Sequence, residues 1–407
     1  MLGTVISLFL LACSGGNDNA AKKTAKPDTA FVYHPLTQNQ KEYYYQQITP
    51  LYNQLLVSSG FSGSVLVAKN GEIVFEDYVG EINHTTKEYI TSSSKFHIAS
   101  VSKTFTAIAV LKLMEEGKIV LDDDVRHYFP LFPYENITVK NLLSHRSGLP
   151  NYVHLMDGKM AVTETYKVRG RKGRMITRKK TIIKKDNTIK DGLITNADML
   201  QYLVDRHPAI EAKPDTRFHY CNTNFALLAL IVEKVAGIDF PTYIKQNIFD
   251  PLGMKDSYIF SIKDTANYIP SYKYNYVPYT IEKLDCVYGD KNVYSTVRDL
   301  LLWDRALYSN KIISKASLDL AYTPYSNERA GTHNYGLGWR LFTYPDYTVP
   351  YHNGWWHGNN AVFTRLTKDT ATVIVLGNRF NPRIYKAKQL ASVFNQANVS
   401  DTLQTEE

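Results

Sequence analysis

The sequence predicts a mixed α/β fold in which a sheet built from both ends of the chain holds a helical region between them. Two β-rich runs flank Asn70-Gly71 near the amino terminus, and Asn-Gly tolerates the positive φ angles of a tight hairpin turn. Two further β-rich runs, residues 361–366 and 371–376, lie near the carboxyl terminus. Helical patterns fill most of the chain between them. Strands at both ends with helices between them indicate one sheet assembled from the two termini.

Apolar residues recur at helical spacing in the segments between the hairpins. The clearest helix covers residues 100–116 and ends at Gly117, a residue type that readily adopts the left-handed conformation after a helix. A second strong helix covers residues 224–236 and ends at Gly237. The same spacing predicts further helices over residues 37–58, 138–143, 295–307 and 384–397.

The composition is that of a globular protein with one unusual segment. Hydrophobic residues make up 44% of the 407 residues and charged residues 21%, which excludes a disordered or fibrous chain. The formal net charge is +8, but residues 167–190 hold eleven Lys and Arg against one acid, so the rest of the chain carries −2. Three cysteines exclude a disulfide framework or a multi-cysteine zinc module. No apolar run reaches the roughly 20 residues that span a bilayer.

The amino terminus resembles the export signal of a bacterial lipoprotein. Residues 1–12 are mostly apolar and resemble a signal peptide, because the run is too short to span a bilayer. The run LLAC, which ends at Cys13, resembles a bacterial lipobox. Residues 13–35 have the composition of a flexible tether. We therefore expect an exported lipoprotein, anchored to the membrane in the cell envelope (periplasm or cell surface) by a lipid on Cys13. A buried strand with a free thiol is the alternative. In an oxidising compartment Cys221 and Cys286 could pair, which the sequence leaves open.

The start of the helix over residues 100–116 contains the pattern S-x-x-K, with Ser100 and Lys103 one turn apart. Residues at i and i+3 share a helix face, so the amine can reach the hydroxyl and take its proton. The N–H groups at a helix start also favour developing negative charge. A second match, Ser92 to Lys95, lies in a polar stretch before the helix, so the context favours Ser100.

The pattern Y-x-N occurs five times. Only the match from Tyr220 to Asn222 lies in a short polar loop directly before a strong apolar helix. A phenol at that position can be held rigidly beside a serine. The other matches are typical of surface loops.

With these residues in place, the chain resembles the serine β-lactamase-like family, which holds class C β-lactamases, penicillin-binding proteins, D-aminopeptidases and esterases. The resemblance implies a β-lactamase/DD-peptidase-like fold, with an antiparallel sheet flanked by helices and a helical subdomain, over residues 36–407. Six segments match in order, namely residues 98–107, 142–150, 218–228, 289–304, 335–339 and 352–354.

The resemblance also implies roles for the matching residues. Ser100 is the nucleophile that forms an acyl-enzyme. Lys103 and Tyr220 share the general-base and general-acid work, and which of them takes the serine proton is left open. Asn222 contacts both Lys103 and the substrate. No metal or organic cofactor is implied.

The segment around residues 352–354 is expected to bind the substrate through His352, Gly354 and Trp355. The N–H of Trp355, with that of Ser100, is the oxyanion hole that the resemblance implies. His352 stands where β-lactamases use lysine, and an ordinary histidine is only partly charged near neutral pH. It is therefore expected to be a weak carboxylate anchor whose ionisation governs activity. Asn292 stands where a glycine is common.

Three other features leave alternatives. His352 and His357 lack a third ligand at suitable spacing, so a metal site is not expected. Trp355 and Trp356 either line the site or belong to the core. The basic stretch 167–190, within an insertion at about 158–192, is expected to be a solvated loop, with docking to an anionic surface as the alternative. A single aromatic residue at its edge disfavours nucleic-acid stacking.

The function that follows is an exported serine hydrolase acting on peptide (amide) or ester bonds, including D-amino-acid or cell-wall peptides. The expected partners are a small peptide, ester or β-lactam-like substrate and the membrane, with no nucleic acid and no obligate protein partner. The alternatives are a class C-type β-lactamase, disfavoured by His352, and a non-catalytic penicillin-binding-like sensor.

Overall fold

The structure is a computed structural model that describes residues 31–171, 173–186 and 189–394. Cys13 and the predicted signal peptide lie outside the described residues. The α-helices of the described residues are α1 (Gln38–Leu55), α2 (Ser102–Glu115), α3 (Val139–Leu143), α4 (Tyr152–Leu155), α5 (Asn196–Arg206), α6 (Asn222–Ala236), α7 (Phe240–Ile244), α8 (Asp250–Leu252), α9 (Val297–Tyr308) and α10 (Lys315–Ala321).

The strands of the same residues are β1 (Gly63–Lys69), β2 (Glu72–Val79), β3 (Glu81–Asn83), β4 (Glu88–Tyr89), β5 (Phe96–His97), β6 (Lys159–Arg169), β7 (Met175–Lys185), β8 (Tyr258–Ile259), β9 (Val293–Ser295), β10 (His333–Tyr335), β11 (Arg340–Tyr344), β12 (Tyr347–Trp356), β13 (Asn359–Leu366) and β14 (Ala371–Gly377).

The largest sheet of the described residues has seven antiparallel strands in the order β10-β11-β12-β13-β14-β1-β2. Strand β1 pairs with β14 from Gly63↔Gly377 to Lys69↔Ala371, so strands from the two ends of the chain lie side by side, as predicted. The predicted turn between β1 and β2 is also confirmed, because Asn70 and Gly71 have φ angles of 52° and 71°.

Helices cover both faces of this sheet. In β1, Val65 and Val67 pack in a cluster with α1 and with a 3-10 helix, Pro382–Phe394. Leu66 and Ala68, on the other face, join the larger cluster that contains α2, α6 and α9. Because both faces are covered, β1, β13 and β14 are buried along most of their length. Strands β1 and β14 accordingly appear in the sequence as nearly continuous apolar runs.

A buried ion pair fastens α9 to the sheet. Arg365 Nε of β13 donates to Asp304 Oδ1 of α9 at 2.6 Å, and the Thr372 hydroxyl donates to Asp304 Oδ2 at 2.7 Å. Both charges are almost completely buried. Loss of either partner would leave an unpaired charge in the interior, so the pair fixes how α9 lies on the sheet.

The helical region, α3 to α8, lies between β5 and β9 in the chain. Strands β5, β9 and β8 form a small antiparallel sheet in which His97 pairs with Tyr294. This pairing places the residues just before α2 against the segment that follows the helical region.

The carboxyl-terminal helix differs from the prediction. Residues 382–394 form a 3-10 helix, not an α-helix, and the predicted last turn lies outside the described residues. Ile384, Ala387 and Leu390 are buried at intervals of three residues, which is the period that a 3-10 helix places on one face.

The last residues of the predicted tether contact the folded domain. The rings of Phe31 and Tyr33 lie 5.0 and 6.0 Å, centroid to centroid, from the ring of Tyr308. These aromatic contacts make residues 31–35 part of the packed domain.

The basic insertion is exposed but is not an irregular loop. Strands β6 and β7 pair without a register shift from Lys159↔Lys185 to Arg169↔Met175 and form a regular β-hairpin. Valine, isoleucine and threonine between the basic residues favour strands, and the high charge masked this pattern in the sequence.

The two cysteines of the described residues, Cys221 and Cys286, are buried free thiols and do not pair. Among the described residues, no helix has both the length and the apolar character needed to cross a membrane.

Candidate active site

Ser100 lies on a tight turn that leads into α2. The 3-10 turn Ala99–Val101 precedes the helix, and Ala99 has a φ angle of +47°, a conformation that costs energy for a residue with a Cβ atom. The N–H of Ala99 donates to His97 Nδ1 at 3.1 Å. The turn leaves Ser100 partly exposed while the residues on both sides of it are buried.

Lys103 is completely buried one helical turn after Ser100. Its Nζ lies 3.0 Å from Ser100 Oγ, 2.8 Å from Asn222 Oδ1 and 2.8 Å from the backbone oxygen of Asp290. Because the last two atoms can only accept, they take two of the amine's protons. The third direction of the amine points at the serine oxygen.

Tyr220 completes the group, with its hydroxyl 2.9 Å from Ser100 Oγ. Its loop is supported by His145, whose ring lies 4.3 Å from the Tyr220 ring and whose Nδ1 accepts from the N–H of Cys221 at 3.1 Å. Helix α6 begins at Asn222, so the tyrosine and the asparagine are held at a rigid helix start. The structure thus brings together Ser100, Lys103, Tyr220 and Asn222.

His145 belongs to the segment 142–150, for which sequence reasoning assigned no role. Burial, followed by the charge of Lys103, lowers the pKa of His145 well below its ordinary value. The neutral ring can therefore accept the Cys221 N–H. The segment acts as a support for the tyrosine loop.

Strand β12 passes directly beside the nucleophile at Gly354. A Cβ atom there would lie 2.4 Å from the oxygen of Ile98 and 3.1 Å from the nitrogen of Ser100, so only glycine fits. The hydroxyl of Tyr385 donates to the Gly354 oxygen at 3.1 Å and holds the strand end. The backbone of β12 and that of Ser100 therefore meet one residue before Trp355.

The two tryptophans that follow have different environments. Trp355 is half exposed, and its Nε1 donates to the oxygen of His357 at 2.9 Å. Trp356 packs against the core, donates to Asp285 Oδ1 at 2.8 Å and has Lys291 Nζ 4.8 Å from its ring centroid. Trp355 is thus the member of the pair available to a ligand.

His352 is completely buried, and the prediction that it is partly charged is wrong. Its Nδ1 lies 2.7 Å from the oxygen of Asn353 and its Nε2 lies 3.2 Å from the Tyr335 hydroxyl. Burial, then the charges of Arg340 and Lys103, lower the pKa of His352 well below its ordinary value. The Nδ1–H donates to the carbonyl, the bare Nε2 accepts from tyrosine, and the neutral ring cannot anchor a carboxylate.

His352 and His357 also do not share a site. His357 Nε2 lies 2.9 Å from Asp285 Oδ1, whereas His352 contacts Tyr335. The part of the chain that the structure describes contains no group of three metal-ligating side chains.

Arg340 is a cation at the site that sequence reasoning missed. Its guanidinium carbon lies 5.1 Å from the centroid of the Tyr220 ring, and its charge contributes to the lowered pKa values of His352 and His145. The only available signal was its position directly after Trp339, the last residue of a matching segment.

Asn292 supports the turn that carries Ser100. Its φ angle is +79°, which glycine adopts freely and asparagine tolerates, and this explains why a glycine is common there. Asn292 Nδ2 donates to the oxygen of Asp285 at 2.6 Å, and its Oδ1 lies 3.0 Å from His97 Nε2. Burial lowers the pKa of His97 to about 4, so its neutral Nδ1 can accept the N–H of Ala99. A chain of hydrogen bonds thus runs from Asn292 to the residue before Ser100.

A second buried network lies behind Lys103. The Tyr152 hydroxyl donates to Asp290 Oδ2 at 2.9 Å, and Lys291 Nζ donates to the Tyr152 hydroxyl at 2.5 Å and to the oxygen of Val287 at 2.9 Å. Burial lowers the pKa of Lys291. The network fixes the loop whose Asp290 oxygen accepts from Lys103.

Comparison with known proteins identifies the family to which the chain belongs. The family model described as Beta-lactamase matches residues 56–394. Penicillin-binding protein 4* of Bacillus subtilis (strain 168) is 30% identical over 361 residues, which cover 84% of this chain and 73% of that protein.

Two solved structures share the fold. A penicillin-binding protein from Bacillus halodurans superposes with a TM-score of 0.68 at 24% identity, covering 84% of this chain and 98% of the other. D-amino acid amidase from Ochrobactrum anthropi SV3, complexed with D-phenylalanine, gives a TM-score of 0.67 at 19% identity, covering 87% and 99%.

Replacing Asn292 tests the support behind the nucleophile. Asn292→Gly keeps the backbone conformation but removes the side-chain hydrogen bonds, so we expect the free energy of unfolding in urea to fall by about 1–3 kcal/mol. Asn292→Ala adds strain at positive φ and should be less stable still. The control is Asn136→Gly, at an exposed position with a φ angle of 59°. If Asn292→Gly changes the free energy of unfolding no more than the control does, the Asn292 side chain does not stabilise the site.

A histidine titration tests the neutral state of His352. Because its pKa lies well below the ordinary value, the ring should stay neutral from about pH 5.5 to about pH 7.5. In NMR spectra of protein with labelled histidine, the ring signals that disappear in His352→Gln should not move over this range. A titration of those signals within the range would contradict the buried, neutral assignment.

Proposed function

The chain belongs to the beta-lactamase family, and we propose that it is a serine hydrolase that cleaves amide or ester bonds through an acyl-enzyme on Ser100. One observation carries the proposal. The partly exposed Ser100 Oγ lies 3.0 Å from Lys103 Nζ and 2.9 Å from the Tyr220 hydroxyl. A serine needs a group that takes its proton, and both neighbours are within hydrogen-bonding distance.

Two arrangements of protons fit these distances. With Lys103 as an amine, its two protons bind Asn222 and Asp290, and its lone pair faces the serine hydroxyl. With Lys103 as an ammonium, the third proton binds Ser100 Oγ, and the tyrosine oxygen takes the serine proton. The cations Lys103 and Arg340, 5.0 and 5.1 Å from the Tyr220 ring centroid, stabilise negative charge on that oxygen.

The reaction then runs in two stages. Ser100 Oγ bonds to the substrate carbonyl carbon, its proton passes to the Lys103–Tyr220 pair, and the same pair protonates the amine or alcohol that leaves. Water attacks the carbonyl carbon of the acyl-enzyme and gives a proton to the Lys103–Tyr220 pair. The bond from carbon to Oγ then breaks, and the pair passes this proton to Ser100 Oγ. A carboxylic acid and the amine or alcohol are the products.

The N–H groups of Ser100 and Trp355 are the oxyanion hole in this proposal. Its support is the close approach of β12 to the nucleophile at Gly354, which brings the two backbones together. Two donors aimed at the developing oxyanion typically contribute several kcal/mol to catalysis, about 3 kcal/mol for each.

Arg340 gives the proposal its substrate class. Because His352 is neutral, we assign the substrate carboxylate to the cation Arg340, whose guanidinium carbon lies 5.1 Å from the centroid of the Tyr220 ring. We therefore propose peptides with a free carboxylate as substrates, including those that contain D-amino acids, since one structural neighbour is a D-amino acid amidase. A class C-type β-lactamase is the second candidate, because β-lactams carry a carboxylate that Arg340 could hold equally well.

The cellular location is part of the proposal. The LLAC run and the apolar residues before it support export as a lipoprotein through Cys13, with the hydrolase domain in the cell envelope.

Ser100→Ala tests the nucleophile. Without the hydroxyl no covalent step is possible, so the variant should lose labelling by a fluorophosphonate probe and at least 99% of ester turnover, an effect of about two orders of magnitude or more. Ser92→Ala, in the other S-x-x-K match, is the matched control. Its labelling and its ester turnover should stay within about threefold of those of the wild-type protein. Labelling that persists in Ser100→Ala would refute the assignment, and an unlabelled wild-type protein would support the non-catalytic sensor.

Arg340→Gln tests the carboxylate anchor with a pair of substrates. The substrates are one peptide with a free carboxylate and the same peptide with a terminal amide. We expect kcat/KM for the acid to fall at least about tenfold further than kcat/KM for the amide, because a charged hydrogen bond is lost only for the acid. Arg383→Gln, at an exposed position, is the control. An equal fall for both substrates would show that Arg340 acts through Tyr220 and does not bind the carboxylate.

The same variants separate the two candidate activities. Turnover of a chromogenic β-lactam that depends on both Ser100 and Arg340 would favour the β-lactamase. A stable adduct with the β-lactam, together with peptide turnover, would favour the peptidase.

A further inference from the structure

The β6–β7 hairpin extends the fold by a segment that the catalytic chemistry does not use. Each strand has eleven residues, which at about 3.3 Å per residue gives an arm roughly 35 Å long. Along β7 the side chains are exposed on both faces, with one partly buried exception, Ile182. Both faces of this part of the hairpin are therefore largely open to solvent.

The hairpin carries a dense positive charge. The acidic residue among the described residues of the hairpin is Glu164, and Lys184 Nζ donates to Glu164 Oε1 at 2.7 Å. Nine cationic side chains are exposed, namely Lys167, Arg169, Arg171, Arg174, Arg178, Lys179, Lys180, Lys184 and Lys185. Mutual repulsion of so many cations disfavours an arm that has only water around it, and an anionic surface would relieve it.

Apolar side chains are interspersed with these cations. The exposed fractions are 44% for Tyr166, 56% for Met175, 40% for Ile176 and 65% for Ile183. Met175 and Ile176 lie at the tip, where β7 leaves the turn and Met175 pairs with Arg169. The tip therefore combines aliphatic groups with arginines.

We propose that this hairpin is a docking arm for an anionic lipid surface. Lysine and arginine side chains would bind lipid phosphates, and the aliphatic side chains at the tip would enter the boundary between head groups and acyl chains. The apolar residues decide between lipid and a soluble polyanion. A polyanion would match the cations but leave Met175, Ile176 and Ile183 in water, whereas a membrane surface binds both kinds of side chain.

A backbone hydrogen bond closes the base of the arm. The N–H of Asp186 donates to the oxygen of Gly158 at 2.9 Å and closes the hairpin at its root. Docking would hold the protein close to a membrane whether or not a lipid is attached to Cys13, and the inference does not depend on the proposed hydrolase activity.

Vesicle binding of the full chain with Cys13→Ser tests the arm without any attached lipid. The protein is sedimented with vesicles of phosphatidylcholine alone or with about 30% phosphatidylglycerol. We expect binding to the anionic vesicles at least tenfold tighter than to the neutral ones, and a loss of that binding as salt rises from about 50 to about 300 mM.

Two hairpin variants separate the contributions. Arg169→Gln/Arg171→Gln/Arg174→Gln should weaken binding to anionic vesicles at least tenfold, and Met175→Ser/Ile176→Ser at least threefold. The matched controls are Lys245→Gln/Lys255→Gln/Lys263→Gln, three exposed lysines elsewhere, and Leu131→Ser, an exposed leucine. The controls should change binding less than twofold. Melting temperatures within about 2 °C of the parent show that each variant is folded.

Three outcomes would overturn the proposal. One is no preference of the parent protein for anionic vesicles. Another is that Met175→Ser/Ile176→Ser binds like the parent while soluble polyphosphate competes fully, which would identify a polyanion as the partner. The third is that the lysine controls weaken binding as much as the hairpin variants, which would show that charge anywhere on the protein suffices.

Discussion

The candidate site depends on one buried amine. Lys103 has no contact with solvent, and the hydrogen bonds of its amine reach the turn before α2, the start of α6 and the loop before β9. A buried amine without hydrogen-bond partners would be strongly unfavourable, so the three segments must meet for the protein to fold with the lysine inside. The arrangement that satisfies Lys103 is the one that brings Ser100, Tyr220 and Asn222 together. Stability and chemistry therefore impose the same geometry.

Three buried histidines support the segments of the site, and each is neutral. His97 accepts from the N–H of Ala99, His145 accepts from the N–H of Cys221, and His352 contacts the Tyr335 hydroxyl. Burial lowers the pKa of each, and the charge of Lys103 adds to this at His145 and His352. A neutral imidazole can accept from a backbone N–H, which a protonated ring cannot. Positive charge at the site is thus confined to lysine and arginine.

Much of the fold and most of the site could be predicted from local sequence. The Asn70-Gly71 turn, the helix before Gly117 and the order of the matching segments are all short-range signals. The state of His352 could not be predicted, because it depends on burial and on Arg340, twelve residues earlier in the chain. The arm was mistaken for a loop because its strand-forming residues alternate irregularly with lysine and arginine. The first prediction failed because the charge of His352 depends on how distant segments pack around it. The second failed because the charged residues obscured the strand pattern of the hairpin.

The position of the arm explains how the fold tolerates it. It is inserted between the segment that contains His145 and the loop that contains Tyr220, and these two segments are joined directly. The N–H of His219 donates to the oxygen of His145, and the N–H of Tyr152 donates to the hydroxyl of Thr223, both at 2.8 Å. The contacts that place Tyr220 beside the serine therefore do not pass through the inserted residues. Since the cost of closing a loop grows slowly with its length, a long hairpin can be added there with little effect on the site.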